Sequence, residues 1–132
     1  NTASGNLGNG FFFFNVQDDT GVFQNNIASM NQFSGFSFFD VGTNATVAGN
    51  VADQNLSDGF SFFDVNGRFT ANTATANQGS GFSFFNVNAT GVFTDNIANN
   101  NQFRGYSSFG AQNGTISNNT GSGNASGGDT YP

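Results

Sequence analysis

From Asn50 to Val65 the chain reads Asn-Val-Ala-Asp-Gln-Asn-Leu-Ser-Asp-Gly-Phe-Ser-Phe-Phe-Asp-Val. Two asparagines flank a small residue, a glycine follows, and an aromatic stretch closes on valine. The same phrase runs from Asn26 to Val41, from Asn72 to Val87 and, with losses, from Asn96 to Ala111. The chain opens inside it, at Asn1, Ala3, Asn6, Gly10, Phe14 and Val16. A worn sixth start stands at Asn119, Asn124 and Gly128. Starts at 1, 26, 50, 72 and 96 give a period of 22–25 residues. A period of this length marks stacked copies of one supersecondary unit, none of which can bury its apolar side alone.

Helix is disfavoured, because Gly, Asn, Ser and Thr are dense and no apolar stripe recurs every 3.6 residues. Phe and Val suit a pleated surface, so the aromatic stretches predict strands at residues 11–16, 36–41, 60–65, 82–87 and 106–111. A second strand per repeat runs through Asn-x-Ala, led by an apolar residue three positions earlier: Phe23, Val47, Phe69, Phe93 and Ile116. The expected fold is all-β, a solenoid of about five two-strand rungs over residues 1–111. Residues 112–132 read as a degenerate final rung or a flexible Gly/Asn/Ser tail. Stacked rungs put equivalent residues about 4.8 Å apart. Asn26, Asn50, Asn72 and Asn96 then form an amide ladder, and Phe14, Phe39, Phe63, Phe85 and Phe109 an aromatic column. Strict alternation along the strand puts Ser37, Phe39 and Val41 on one face and Phe36, Phe38 and Asp40 on the other. Both faces are apolar, so one is surplus to a single interior.

Composition narrows the function. The 132 residues carry a formal net charge of −6, with Arg68 and Arg104 the only cations besides the N-terminus. Such a chain cannot neutralise phosphates, which argues against nucleic acid as partner. Glu, Lys, His and Cys are absent, so the usual general bases, nucleophiles and thiolate ligands are missing. The expectation is a non-enzyme with no cofactor and no metal. The charged fraction is 8%, which suits a protein that assembles with copies of itself. No apolar run reaches the ~18 residues of a membrane helix. The first residue is Asn rather than Met, read as a processed N-terminus, with secretion expected.

The third repeat sets Ser61, then Asn72, Ala74 and Gln78, then Ser83, and Asn26-Ala28-Gln32 and Asn96-Ala98-Gln102 repeat its second half. This spacing resembles the repeat of curlin, the major subunit of bacterial curli. The resemblance implies a Ser-led strand and an Asn-x-Ala strand as one rung of an amyloid-like β-solenoid. It also implies an inward set: Phe14, Phe39, Phe63, Phe85 and Phe109 with Val16, Val41, Val65 and Val87. Phe13, Phe38, Phe62 and Phe84 then point outward, as a lateral assembly interface.

Other residues carry weaker signals. Asp40 and Asp64 fall on neighbouring rungs, where a carboxylate pair could do acid–base chemistry. A row of charges that discourages mispairing is the more economical role. Asp18-Asp19 offer calcium oxygens, but a turn explains them as well. Six glycosylation sequons occur, at Asn44, Asn55, Asn88, Asn113, Asn118 and Asn124. Asn44, Asn88 and Asn113 lie in connectors and are the candidate acceptors, whereas Asn55 occupies a ladder column. Together these readings point to a structural subunit of a self-assembling extracellular fibre, a functional-amyloid-like filament with a matrix, biofilm or adhesion role. The alternative is a secreted solenoid that binds carbohydrate or a cell surface.

Overall fold

The computed structural model describes residues 1–16, 20–128 and 130–131, and the Asp18-Asp19 pair lies outside them. Among the described residues every regular element is a strand, and the strands wind into a parallel β-solenoid of about five turns with three sheets. The long strands Phe11–Val16, Phe36–Val41, Phe60–Val65, Phe82–Val87 and Tyr106–Gln112 stack in register as one sheet. Three-residue strands Val22–Gln24, Thr46–Ala48, Arg68–Thr70, Val92–Thr94 and Thr115–Ser117 make a second. The Asn-x-Ala segments make a third, from Thr2–Ser4 through Ile27–Ser29, Val51–Asp53, Thr73–Thr75 and Ile97–Asn99 to Asn119–Ser122. Thr130–Tyr131 then runs antiparallel along Asn119–Ser122.

Each turn therefore has three strands, not the two expected from sequence. The segment from Phe23 to Ala28 looked like one strand, but Asn25 breaks it with φ of 55°. Gly49, Ala71, Asp95 and Asn118 hold the same left-handed corner in the following turns. A left-handed residue turns the chain sharply, so the apolar lead falls in one sheet and Asn-x-Ala in the next. A second left-handed corner precedes the second asparagine of each motif, at Gly5, Met30, Gln54, Ala76, Asn100 and Gly123. Asn-x-Ala-x-x-Asn is thus a short strand held between two corners.

The variable spacing has one location. Ten residues separate the first asparagine from the long strand in every turn, as in Asn26 to Phe36 and Asn72 to Phe82. The connector between the long strand and the next short strand changes, and the last long strand is one residue longer than the others. The connector is two residues after Val65, where Asn66-Gly67 leads to Arg68, and after Gln112, where Asn113-Gly114 leads to Thr115. Insertions are tolerated there because that loop lies outside the stacked ladders.

The interior reverses the expected facing of the aromatic strand. Phe38 and Phe62 are fully buried and Phe84 nearly so, while Phe13 packs half-buried against the same core. These four are core residues, not a lateral interface. Phe14 and Phe109 are 70% and 48% exposed, and Phe39, Phe63 and Phe85 are half-buried on the outside. They are not a core column. Val41, Val65 and Val87 are nevertheless buried, and Val16 packs half-buried on the core. The cause is a bulge: Asn15, Asp40, Asp64 and Asn86 take φ of 52–61°, which inserts one residue before each valine. Alternation is broken, so Phe36, Phe38 and Val41 share the inside. Two rings and a valine then enter the core from each long strand. The opposite choice would bury one ring with a serine. Each ring contributes roughly 1.5–3 kcal/mol on burial, and that difference selects the face.

Small residues make room for the rings. Ala28, Ala52, Ala74 and Ala98 are fully buried on the Asn-x-Ala sheet. The glycine before each long strand sits hard against them. A Cβ on Gly59 would lie 2.7 Å from the Ala74 Cβ and 2.9 Å from the Asn77 amide nitrogen. Glycine is required there by space. Phe11, Phe36, Phe60, Phe82 and Tyr106 stack as one column with centroids 4.8–5.2 Å apart. Phe69 and Phe93 meet Phe62 edge-on at 4.7 and 5.1 Å, an arrangement aromatic pairs favour.

Candidate functional site

Two columns of asparagine run the length of the solenoid. Asn1, Asn26, Asn50, Asn72, Asn96 and Asn119 form the first, each Nδ2 donating to the next Oδ1 at 2.9–3.1 Å. Asn6, Asn31, Asn55, Asn77, Asn101 and Asn124 form the second, at 2.8–3.0 Å. From Asn26 to Asn101 both columns are nearly or wholly buried. From Asn31 to Asn101 the bonding is exhaustive. Each Oδ1 also accepts the backbone N–H of the preceding turn's asparagine, as Asn72 does from Asn50 at 3.0 Å. The second Nδ2 proton goes to a backbone carbonyl, such as Phe23 for Asn50 and Ala52 for Asn77. No other side chain of this size supplies two donors and a double acceptor, so Asn is dictated by the site.

The ladders are directional. In the asparagine-to-asparagine bonds every side-chain amide donates toward the C-terminal end of the stack, so these bonds align and reinforce one another. At the first turn, among the described residues, the Asn1 and Asn6 carboxamide oxygens accept no hydrogen bond. The same end holds a cavity of about 350 Å³ lined by Phe11, Phe13, Val22 and Phe23, with Asn1, Gln24 and Asn26 at its polar side. Residues 115–122 begin a sixth turn at the other end, with Asn119 and Asn124 in the ladders. There Tyr106 replaces phenylalanine in the core column. Its hydroxyl lies 2.7 Å from the Asn96 carbonyl and 2.9 Å from that of Thr120. Burial pushes its phenol well above the ordinary range.

Outside, Phe39, Phe63, Phe85 and Phe109 stack with centroids 4.3, 4.4 and 4.9 Å apart and planes within 13° of parallel. Phe12 leans on Phe39 at 5.4 Å. Asp40 and Asp64 are exposed beside this column, and Asn86 donates to Asp64 at 2.9 Å. Both carboxylates are exposed, and the cavity at the first turn has no acidic lining residue. No group of three potential metal ligands occurs among the described residues. Among the described residues no helix is long and apolar enough to cross a membrane.

The sequons separate by burial. Asn44 and Asn113 are exposed and Asn88 is half-buried, all at the variable corner between the long strand and the next short one. Asn55 and Asn124 are ladder members with their amides engaged. Sequence reasoning singled out the first ladder but not the whole of the second, although the six-residue Asn spacing held the signal. Tyr106 was also missed, since the losses in that repeat concealed its place in the core column.

The chain matches the right-handed β-helix region family over residues 1–131 and belongs to that family. The match sets the hand of the coil and extends over the whole array. It carries no indication of curlin, whose two-strand rung differs from the three-strand turn found here. No curated protein and no solved structure is significantly similar to the chain.

Proposed function

We propose that this β-helix is a structural subunit of a self-assembling extracellular filament, extended by adding turns along the solenoid axis. One observation carries the reading. Each turn presents to the next the same three strand edges, two asparagine columns and a stack of Phe rings. A turn from another copy answers that surface as the chain's own turns do: its asparagines continue the ladders, its Phe rings continue the stack, and its strands pair three edges at once. At the opposite end the edges of Tyr106–Gln112 and Thr115–Ser117 have no further strand among the described residues. Thr130–Tyr131 covers the third edge and must swing aside for a full axial joint. The sequons at exposed Asn44 and Asn113 and half-buried Asn88 share one corner, with exposed Asn118 at another, and fit a secreted protein carrying glycans on its loops.

Negative-stain imaging tests the proposal. Micrometre filaments from purified protein are expected, and they should be lost when residues 1–9, with the first two ladder asparagines, are deleted. Dispersed single solenoids at high concentration would overturn it and favour the binding-module reading, whose candidate surface is the outward polar rows at Thr75, Asn99, Thr70 and Thr94.

A further inference from the structure

We infer that the outward aromatic column is a lateral interface, and that its occupant is the same column of a second copy lying parallel to the first. This adds a sideways contact to the axial growth proposed above, and the two can fail separately.

The patch has the size of an interface centre. At 57%, 70% and 48% exposure, Phe12, Phe14 and Phe109 leave roughly 350 Å² of ring open, taking about 200 Å² per Phe. The half-buried Phe39, Phe63 and Phe85 add on the order of 100 Å². A stable pair needs about 800 Å² per partner, a little over half of it apolar. The column supplies that apolar share in one strip, with the exposed Asp40 and Asp64 along one side.

The ring geometry selects the partner. Phe39, Phe63 and Phe85 stand face to face, 4.3 and 4.4 Å apart and within 5° of parallel. Their faces are used up on one another, and these three rings point only edges outward. A sugar ring, which would stack on an aromatic face, finds one only at the ends of the column, at Phe14 and Phe109. What fits a row of edges repeating every ~4.8 Å is a surface with the same pitch. A second solenoid of this chain has it over all five turns.

Charge selects the orientation. The exposed Asp40 and Asp64 border the column on one side; on the other lie the buried Ser37, Ser61 and Ser83, with half-buried Asp58 accepting from Ser61 and the Ser80 N–H. A two-fold axis in the interface can run along the strands or along the solenoid. Along the strands, it lays the exposed aspartate row on the partner's exposed aspartate row. Along the solenoid, it lays those aspartates against the serine side, whose one carboxylate is half-buried and hydrogen-bonded. Like-charge contact is costly in an interface, so the pair is parallel.

Sedimentation velocity with wild type and a Phe39→Ser, Phe63→Ser, Phe85→Ser triple variant tests the face. Wild type should sediment as pairs or wider bundles. The triple variant should keep its circular-dichroism spectrum and sediment one solenoid wide, with axial filaments, where formed, thinner but still long. If wild type stays one solenoid wide, or the variant associates as wild type does, the interface is refuted. Should the triple variant unfold, Phe63→Asp alone decides: the same loss of lateral association is expected, and unchanged association refutes the face. Orientation is read from spin labels on cysteines introduced at Asn44 or Asn113, in a chain with no cysteine of its own. A parallel pair gives equal separations at the two sites. A longer separation at Asn113 means antiparallel copies and overturns the charge argument.

Discussion

Two columns of phenylalanine lie one residue apart on the same strands, and they live in different solvents. Phe38, Phe62 and Phe84 stack at 5.5 Å inside the coil. Phe39, Phe63 and Phe85 stack at 4.3 and 4.4 Å outside it. The outer rings stack more tightly than the inner ones. Regular stacking is therefore no sign of burial. It follows from the rung pitch, which imposes it on any repeated ring. Burial follows from what stands opposite: edge-on Phe69 and Phe93 inside, water or a partner outside.

The sharpest way to break this comparison is to truncate one ring from each column in the same turn. Phe62→Ala opens a cavity in a close-packed core and should cost about 3–5 kcal/mol. Phe63→Ala, on the outer face, should cost about 1 kcal/mol or less in the single solenoid. Urea unfolding of the two variants measures both. Equal losses would mean that the two faces are not distinct.

The ladders extend the contrast to polar groups. Asn77→Asp puts an acceptor where the amide nitrogen now donates to the Ala52 carbonyl and to Asn101 Oδ1. The Ala52 carbonyl loses this donor and Asn101 Oδ1 keeps only the Asn77 backbone N–H, so a loss of about 1–3 kcal/mol is expected. Asn113→Asp, at the exposed corner, should change stability by less than about 0.5 kcal/mol. A thermal melt that ranks the two alike would show that the ladder is decoration.

The smallest effect tests the last core position. Tyr106→Phe keeps the stack on Phe82 and removes the hydroxyl contacts to Asn96 and Thr120, so a loss of about 1–2 kcal/mol is expected. The wild type also gains an alkaline signature. The folded phenol binds its proton more tightly than the unfolded one. Its contribution is then fully present below about pH 10, the ordinary phenol range, and is lost as pH rises above it. Denaturant titrations at pH 8 and pH 11 should show a smaller decline for Tyr106→Phe than for wild type.

How much of this was readable in the residues follows from what each pattern encodes. Repeat spacing is written in sequence, so the in-register stacking, the long strands and the first asparagine ladder were legible from it. The third strand per turn was not, because a left-handed φ leaves little trace when it falls on Ala71, Ala76, Met30 and Gln54, residues that ordinarily avoid it, rather than on glycine. The bulge at Asp40 and Asp64 was hidden for the same reason, and with it the facing of every phenylalanine.

The sequence by itself determined the period, the β class, the columns that stack and the chemistries that lack residues to perform them. Each of these depends on which residues recur and at what distance, and a repeat states both directly. Only the tertiary structure decided which column is core and which is surface. Strand alternation fixes two faces but does not say which one is inside. That choice was made by the volume left between three sheets, where alanine and glycine on one wall leave room for two phenylalanine columns from the opposite wall and a third from the last sheet.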